Sequence, residues 1–263
     1  MLKDYGLRLK EIQPDHYTLG AVTTKKILRE DGQYDIFLPK YEPQFGGDWD
    51  SYGCTVWGSQ NLIETIQKYI TKIEPNFSER FTYILAHIEP PGGDPHDVLQ
   101  CIRHDGLILD DHLPMTITYE EFLMPNPMNG SLLAEGQKWL QKYEVKHEWL
   151  WTGQKDIKDK IKIIKDNLPY GPIGVSVTAW FLKDGVYVDN ELPNTHWCMC
   201  YGYEEHGNDI FLKIFDSYDQ SIKLLSPDHN IQMAKSVFLS LKPKQKDNWL
   251  MSFITWFINK LYK

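Results

Sequence analysis

The sequence predicts an α+β protein of two unlike lobes, a helical first half and a strand-rich second half, on three observations. Apolar residues recur at helical spacing from Val56 through Ile63, Ile66, Tyr69 and Ile70 to Ile73. Short β-branched and aromatic runs separated by turn residues fill the chain beyond residue 172. Helices collected in one half and strands in the other point to two unlike lobes. Finally, Cys54 lies in the helical half, and His196 and Asp216 lie in the strand-rich half, so these three residue types would meet across a cleft between the lobes.

The bulk composition suits that class. At 263 residues, 42% of them apolar and 13% aromatic, the chain can fill one large core or two lobes sharing a groove. A formal charge of -8, from 36 acidic against 28 basic residues, argues against sequence-independent nucleic-acid binding, which needs a basic footprint to release counterions. The four cysteines, Cys54, Cys101, Cys198 and Cys200, show no repeated spacing and are expected to be reduced, the last three as core residues. Residues 1–6 lack the basic start and apolar run of a secretory signal, and no stretch reaches the roughly 18 apolar residues of a membrane-spanning helix. A soluble protein, cytoplasmic or carried in a virion, is expected.

Taken in order, residues 1–43 are broken by Pro14, Gly20, Gly32 and Pro39 and predict an extended N-terminal extension with turns and short strands. Residues 44–53 are rich in turn formers, and the helical pattern that follows places Cys54 in the first turn, where the positive end of a helix favours a thiolate. Two further helices are expected over 77–88 and 95–104, separated by Pro90-Pro91-Gly92-Gly93. The run Pro125-Asn126-Pro127-Met128-Asn129-Gly130 marks the crossing from a helical lobe, about 44–125, to a β-rich lobe, about 126–241. A lysine-rich helix over 155–167 precedes strands over 173–181, 185–188, 196–203, 210–215 and 221–225. After the basic linker 242–246, residues 249–262 are expected to form an aromatic amphipathic helix that packs on the body or binds a partner protein, and less readily a membrane surface.

Most of residues 44–240 resemble the papain-like cysteine peptidases. The similarity is carried by Gln44 ahead of Gly53-Cys54, by His196 followed after five residues by Gly202-Tyr203, and by the segment 213–218 that contains Asp216. Gly92-Gly93, Gly171-Pro172-Ile173 and Asp184-Gly185-Val186-Tyr187 fall in family order between these anchors. The lead-in from Gly6 to Tyr17 is similar to the short N-terminal extension of some bacterial and phage members. The resemblance implies a papain-like two-lobe fold with an antiparallel sheet or barrel in the β-rich lobe. It also implies hydrolysis of peptide bonds, with Cys54 as nucleophile, His196 as its proton partner, Asp216 orienting the imidazole and Gln44 helping to bind the oxyanion.

The family's usual Asn is Asp at 216, the interval from Gln44 to Cys54 is longer than usual, and Tyr218 stands where a shielding Trp is common. The backbone of Gly92 and Gly93 is expected to pair with an extended peptide substrate, and Trp197 to narrow the pocket beside the histidine. No cofactor is implied, and no metal, because His196-x-Cys198-x-Cys200 has no second pair to complete a tetrahedral set. With only about forty residues ahead of the turn-rich segment, control by removal of a long pro-region is not expected. His87, His96, His104, His112 and His229 are expected on surfaces or helix ends. Two alternatives remain open: a non-catalytic structural or peptide-binding component, for example of a phage particle, and a peptidoglycan-directed Cys-His amidase.

Overall fold

The computed structural model describes residues 5–23, 25–46, 48–189, 191–218 and 222–243. The first long element is helix α1 (Cys54–Thr71), and every residue from Cys54 to Ile66 is buried. A helix covered on all sides must satisfy its polar side chains internally. Gln60 donates to Ser78 O and Thr82 Oγ1, Glu64 accepts from the Phe77 amide at 2.8 Å, and Thr65 Oγ1 donates to Met199 Sδ. Lys72, at φ 61°, ends the helix in the left-handed region, with its amide returned to Lys68 O.

Several short helices gather beside α1, most of them begun by a residue whose side chain caps them. Ser78 Oγ accepts from Phe81 N at the start of α2 (Glu79–Leu85), and Asp94 accepts from His96 N at α3 (Pro95–Asp105), where Pro95 fills the first turn. α4 (Tyr119–Phe122) is a single turn. α5 (Gly130–Lys142), capped by Asn129, lies against the end of α3; a Cβ on Gly136 would stand 2.2 Å from Asp105 O. α6 (Ile157–Asn167) is the expected lysine-rich helix, buried along Ile161 and Ile164.

Besides the hairpin β1 (Phe45–Gly46) and β2 (Trp49–Asp50), the described residues form one eight-stranded sheet. Its strands are β3 (Tyr143–Trp149), β4 (Ile173–Val177), β5 (Leu182–Lys183), β6 (Val186–Tyr187), β7 (His196–His206), β8 (Asp209–Phe215), β9 (Lys223–Leu225) and β10 (Ala234–Leu241). They lie in the order β3-β10-β4-β7-β8-β9-β6-β5, all antiparallel except the β6–β9 contact. The alternation of β7 divides the core in two. Met199 and Tyr201 join Val56, Trp57, Leu62 and Ile66 of α1, whereas Cys198 and Cys200 join Val175, Val177, Leu212, Ile214 and Leu225.

All five strand segments read from the sequence carry strands. The two-residue strands β1, β2 and β5 were not read, and neither were the longer β3 and β10, whose buried positions include charged and polar residues that a hydrophobic pattern excludes. Lys235 of β10 is fully buried, its ammonium 3.2 Å from His96 Nδ1 and 3.6 Å from the centre of the Trp149 ring. Glu148 of β3 is buried too, paired with Lys25 and accepting from the Val22 amide. Among the histidines expected at surfaces or helix ends, His229 is instead completely buried, and His96, at the start of α3, is also inside. None of the four cysteines is in a disulfide. No helix among the described residues is long and apolar enough to cross a membrane. The aromatic helix expected over 249–262 lies outside the described residues.

Candidate active site

Strand pairing creates the histidine site. His196 opens β7 and Asp216 follows the last residue of β8, and the register Met199↔Phe215 sets these two strand ends side by side. His196 Nε2 and Asp216 Oδ1 are 2.5 Å apart, and both side chains are fully buried. The second oxygen, Oδ2, accepts from Lys223 Nζ at 2.7 Å; Lys223 opens β9 opposite Ile214 and is also without exposure. Burial alone would push the Asp216 carboxyl up, but His196 and Lys223 together outweigh it and hold the group below the ordinary carboxylate value. The Trp180 ring stands edge-on to His196 at 5.6 Å and lies 4.7 Å from the Lys223 ammonium, so it shields this hydrogen-bonded chain from the side. Tyr218 stands edge-on at 6.4 Å, its hydroxyl donated to Asp50 Oδ2 at 2.7 Å.

Cys54 reaches this site through the packing of α1 on β7. A Cβ on Gly58 would stand 2.9 Å from the Trp197 carbonyl oxygen and 3.3 Å from Cys198 Cα, and further along the helix Thr65 bonds Met199. The helix therefore runs beside β7 in the same sense, and Cys54, one turn before Gly58, falls at the level of His196. Cys54 is buried in a cluster with Leu7, Trp149 and Trp197, the residue next to the histidine. His196 Nδ1 has no hydrogen-bond partner among the described residues. Gly53 makes no side-chain cap at the start of α1, so no carboxylate or hydroxyl of that residue neutralises the positive end of the helix.

The long interval between Gln44 and Cys54 is taken up by the β1–β2 hairpin. Its pairing, Phe45↔Asp50, lets the Ser51 amide and hydroxyl donate to Gln44 O at 3.2 and 2.6 Å, which returns Gln44 to within three residues of Cys54 along the chain. The Gln44 side chain is buried, accepting from Ser217 Oγ at 3.1 Å and donating through Nε2 to Tyr5 O at 3.1 Å and Asp50 Oδ1 at 3.2 Å. Trp197 finds space because a glycine lies on either side: a Cβ on Gly58 or on Gly174 would stand 2.8 or 2.3 Å from its ring.

No family model and no curated protein matches the chain by sequence. Solved structures do match by fold. The procathepsin L2 proteinase from Tenebrio molitor larval midgut is 11% identical over 89% of this chain and 78% of that one, with a TM-score of 0.58. A structure addressing the mite allergens Blo t 1 and Der p 1 is 14% identical over 85% and 74%, also at 0.58. The Amb a 11 cysteine protease of ragweed pollen, in its proform, is 11% identical over 80% and 65%, at 0.56. The chain has the papain-like fold.

Within this papain-like fold the groove beside His196 is filled by the chain itself. The Gly93 amide donates to Gly6 O at 2.9 Å, Arg8 N donates to Gly93 O at 2.8 Å, and Leu7 N donates to Thr195 O at 3.2 Å on the opposite wall. Leu7 and Gly93 form a parallel bridge, and the Tyr5 ring lies 4.9 Å from the imidazole. Beyond it, Lys10 N is bound by Asp94 Oδ2. Gly92, at φ 121°, is required by this approach, since a Cβ there would stand 1.8 Å from Gly6 O. The Gly93 backbone is thus paired with residues 6–8 of the chain itself, while the Gly92 amide donates to Glu89 O. A short segment suffices because six extended residues span about 20 Å. With it in place Cys54 and His196 are both 0% exposed.

Two residues of the site were not read from the sequence. Lys223 interrupts the otherwise apolar run Ile222-Lys223-Leu224-Leu225, and its only sequence signal is a charge in the middle of the strand expected over 221–225. Trp180 offered none, being one of nine tryptophans in the chain.

Proposed function

We propose that this chain is a papain-like cysteine peptidase held closed by its own residues 5–10. The observation that carries this reading is the buried His196–Asp216 pair on β7 and β8, with His196 Nδ1 left open at the level of Cys54, the first residue of α1. Cys54 as thiolate attacks an amide carbonyl and His196 protonates the leaving amine; the thioester is then hydrolysed by water as His196 removes its proton. The Cys54 amide and Gln44 Nε2 bind the oxyanion, and Gln44 Nε2 already donates to a peptide carbonyl, that of Tyr5. In this reading Trp197 and Tyr218 border the bound peptide and Gly92-Gly93 pair with it.

The complete burial of Cys54 and His196 favours a second reading, a non-catalytic module whose groove is permanently filled. Iodoacetamide alkylation separates the two. A peptidase predicts that Cys54, once the segment is displaced by Leu7→Glu, reacts at pH 6 at least about tenfold faster than an ordinary cysteine, and that adding His196→Ala removes the excess. Equal rates with and without His196 would sink the peptidase reading. Hydrolysis of a peptide library, with Cys54→Ala as control, then identifies the substrate; cleavage confined to peptidoglycan cross-links would assign an amidase.

A further inference from the structure

The residue most surprising for its place is Lys223. A lysine with no exposed surface needs a compensating charge, and its ammonium has one in Asp216 Oδ2 at 2.7 Å. The same carboxylate holds His196 Nε2 through its other oxygen. Three ionisable side chains, from the start of β7, the residue after β8 and the start of β9, thus form a chain, imidazole to carboxylate to ammonium, under the rings of Trp180 and Tyr187 at 4.7 and 5.5 Å from Nζ. Among the described residues, the groups placed near His196 are the Tyr5 and Tyr218 phenols and the Trp180 ring, with Cys198 two residues along β7 and Cys54 packed against the neighbouring Trp197, none of them a carboxylate.

We propose that Lys223 is a positioning residue for His196: it neutralises Asp216, so that the imidazole meets a hydrogen-bond acceptor with no net charge. The Asp216–Lys223 pair then does the work of a neutral amide, which is how the site accommodates an acid where the resembling family has Asn. A bare carboxylate on Nε2 would over-stabilise the imidazolium and hold its proton when the leaving amine needs it. The ammonium offsets that charge, and by fixing Oδ2 it also fixes the plane in which Oδ1 meets the ring. The inference rests on the peptidase reading for its purpose but not for its test.

The test is the titration of the His196 ring, followed by its nitrogen-15 resonances in the full chain, for the native protein, Lys223→Met, Asp216→Asn and the double variant. Lys223→Met is expected to raise the ring's pH midpoint by about one to three units, the effect of an uncompensated neighbouring carboxylate. The double variant, neutral again, is expected to return within about half a unit of the native value. A shift in Lys223→Met below about 0.3 unit, or a double variant that fails to return, would overturn the proposal. If Lys223→Met does not fold, melting decides: Asp216→Asn, which strands the ammonium, must melt below the double variant, and equal melting temperatures would count against the role. Peptide hydrolysis, measured separately, reports on the peptidase reading alone.

Discussion

Trp197 occupies a place where the resembling family often has a small residue, and two glycines rather than a wider groove accommodate it. Gly58 costs helix stability relative to alanine, up to about 1 kcal/mol, yet its missing Cβ is what lets α1 approach the Trp197 carbonyl. Gly58→Ala therefore sets a small propensity gain against a backbone clash at 2.9 Å. Overpacking of this kind costs about 1–3 kcal/mol, so the clash wins. The urea midpoint should fall by the corresponding amount, and an unchanged or raised midpoint would show that β7 can shift without cost. Because Cys54 is one turn away, the same shift should also slow its alkylation in the Leu7→Glu background.

At the scale of elements, α1 positions the thiol and also carries an acid into the core. Burial, reinforced by the neighbouring carboxylates Glu42, Glu74 and Asp110, pushes the Glu64 carboxyl well above the ordinary value, against the single bond from the Phe77 amide. The folded protein therefore keeps a proton that the unfolded chain gives up above about pH 4.3. The unfolded state binds fewer protons, so stability must fall as pH rises from that point toward the raised folded value. Glu64→Gln keeps an acceptor for Phe77 N and removes the titration. Its unfolding free energy should vary less with pH than the native protein's over this window, with the gain largest at the alkaline end; parallel curves for the two proteins would refute the assignment. Glu79, buried and raised for the same first cause, should leave a residual slope.

For the whole molecule the decisive contact is between the segment 5–10 and both walls of the groove. Backbone bonds to Gly93 and Thr195 hold it, and Leu7 fills the apolar space beside Trp149, Trp197 and Cys54. Leu7→Glu would place a carboxylate in that space with no partner, a cost of several kcal/mol that favours release of the segment. Mass spectrometry should then show alkylation of Cys54 at least about tenfold faster than in the native chain, since local opening governs access to a buried thiol. Unaltered alkylation together with a lowered melting temperature would mean that the segment is structural and does not gate the site.

Local signals sufficed wherever local physics decides. The helical spacing after Val56 and the turn residues before it put Cys54 at the start of α1, and alternation with turn punctuation marked the strands that carry His196 and precede Asp216. The α+β class followed from the same patterns. What depended on contacts between distant residues was not legible. The β1–β2 hairpin erases the long interval after Gln44, Lys223 completes the His196–Asp216 chain from a neighbouring strand, and residues 5–10 fill the groove. A sequence pattern records which side chains avoid water, but a buried lysine or glutamate is tolerated only because a partner outside its own helix or strand meets it, and that meeting exists only once the chain has folded.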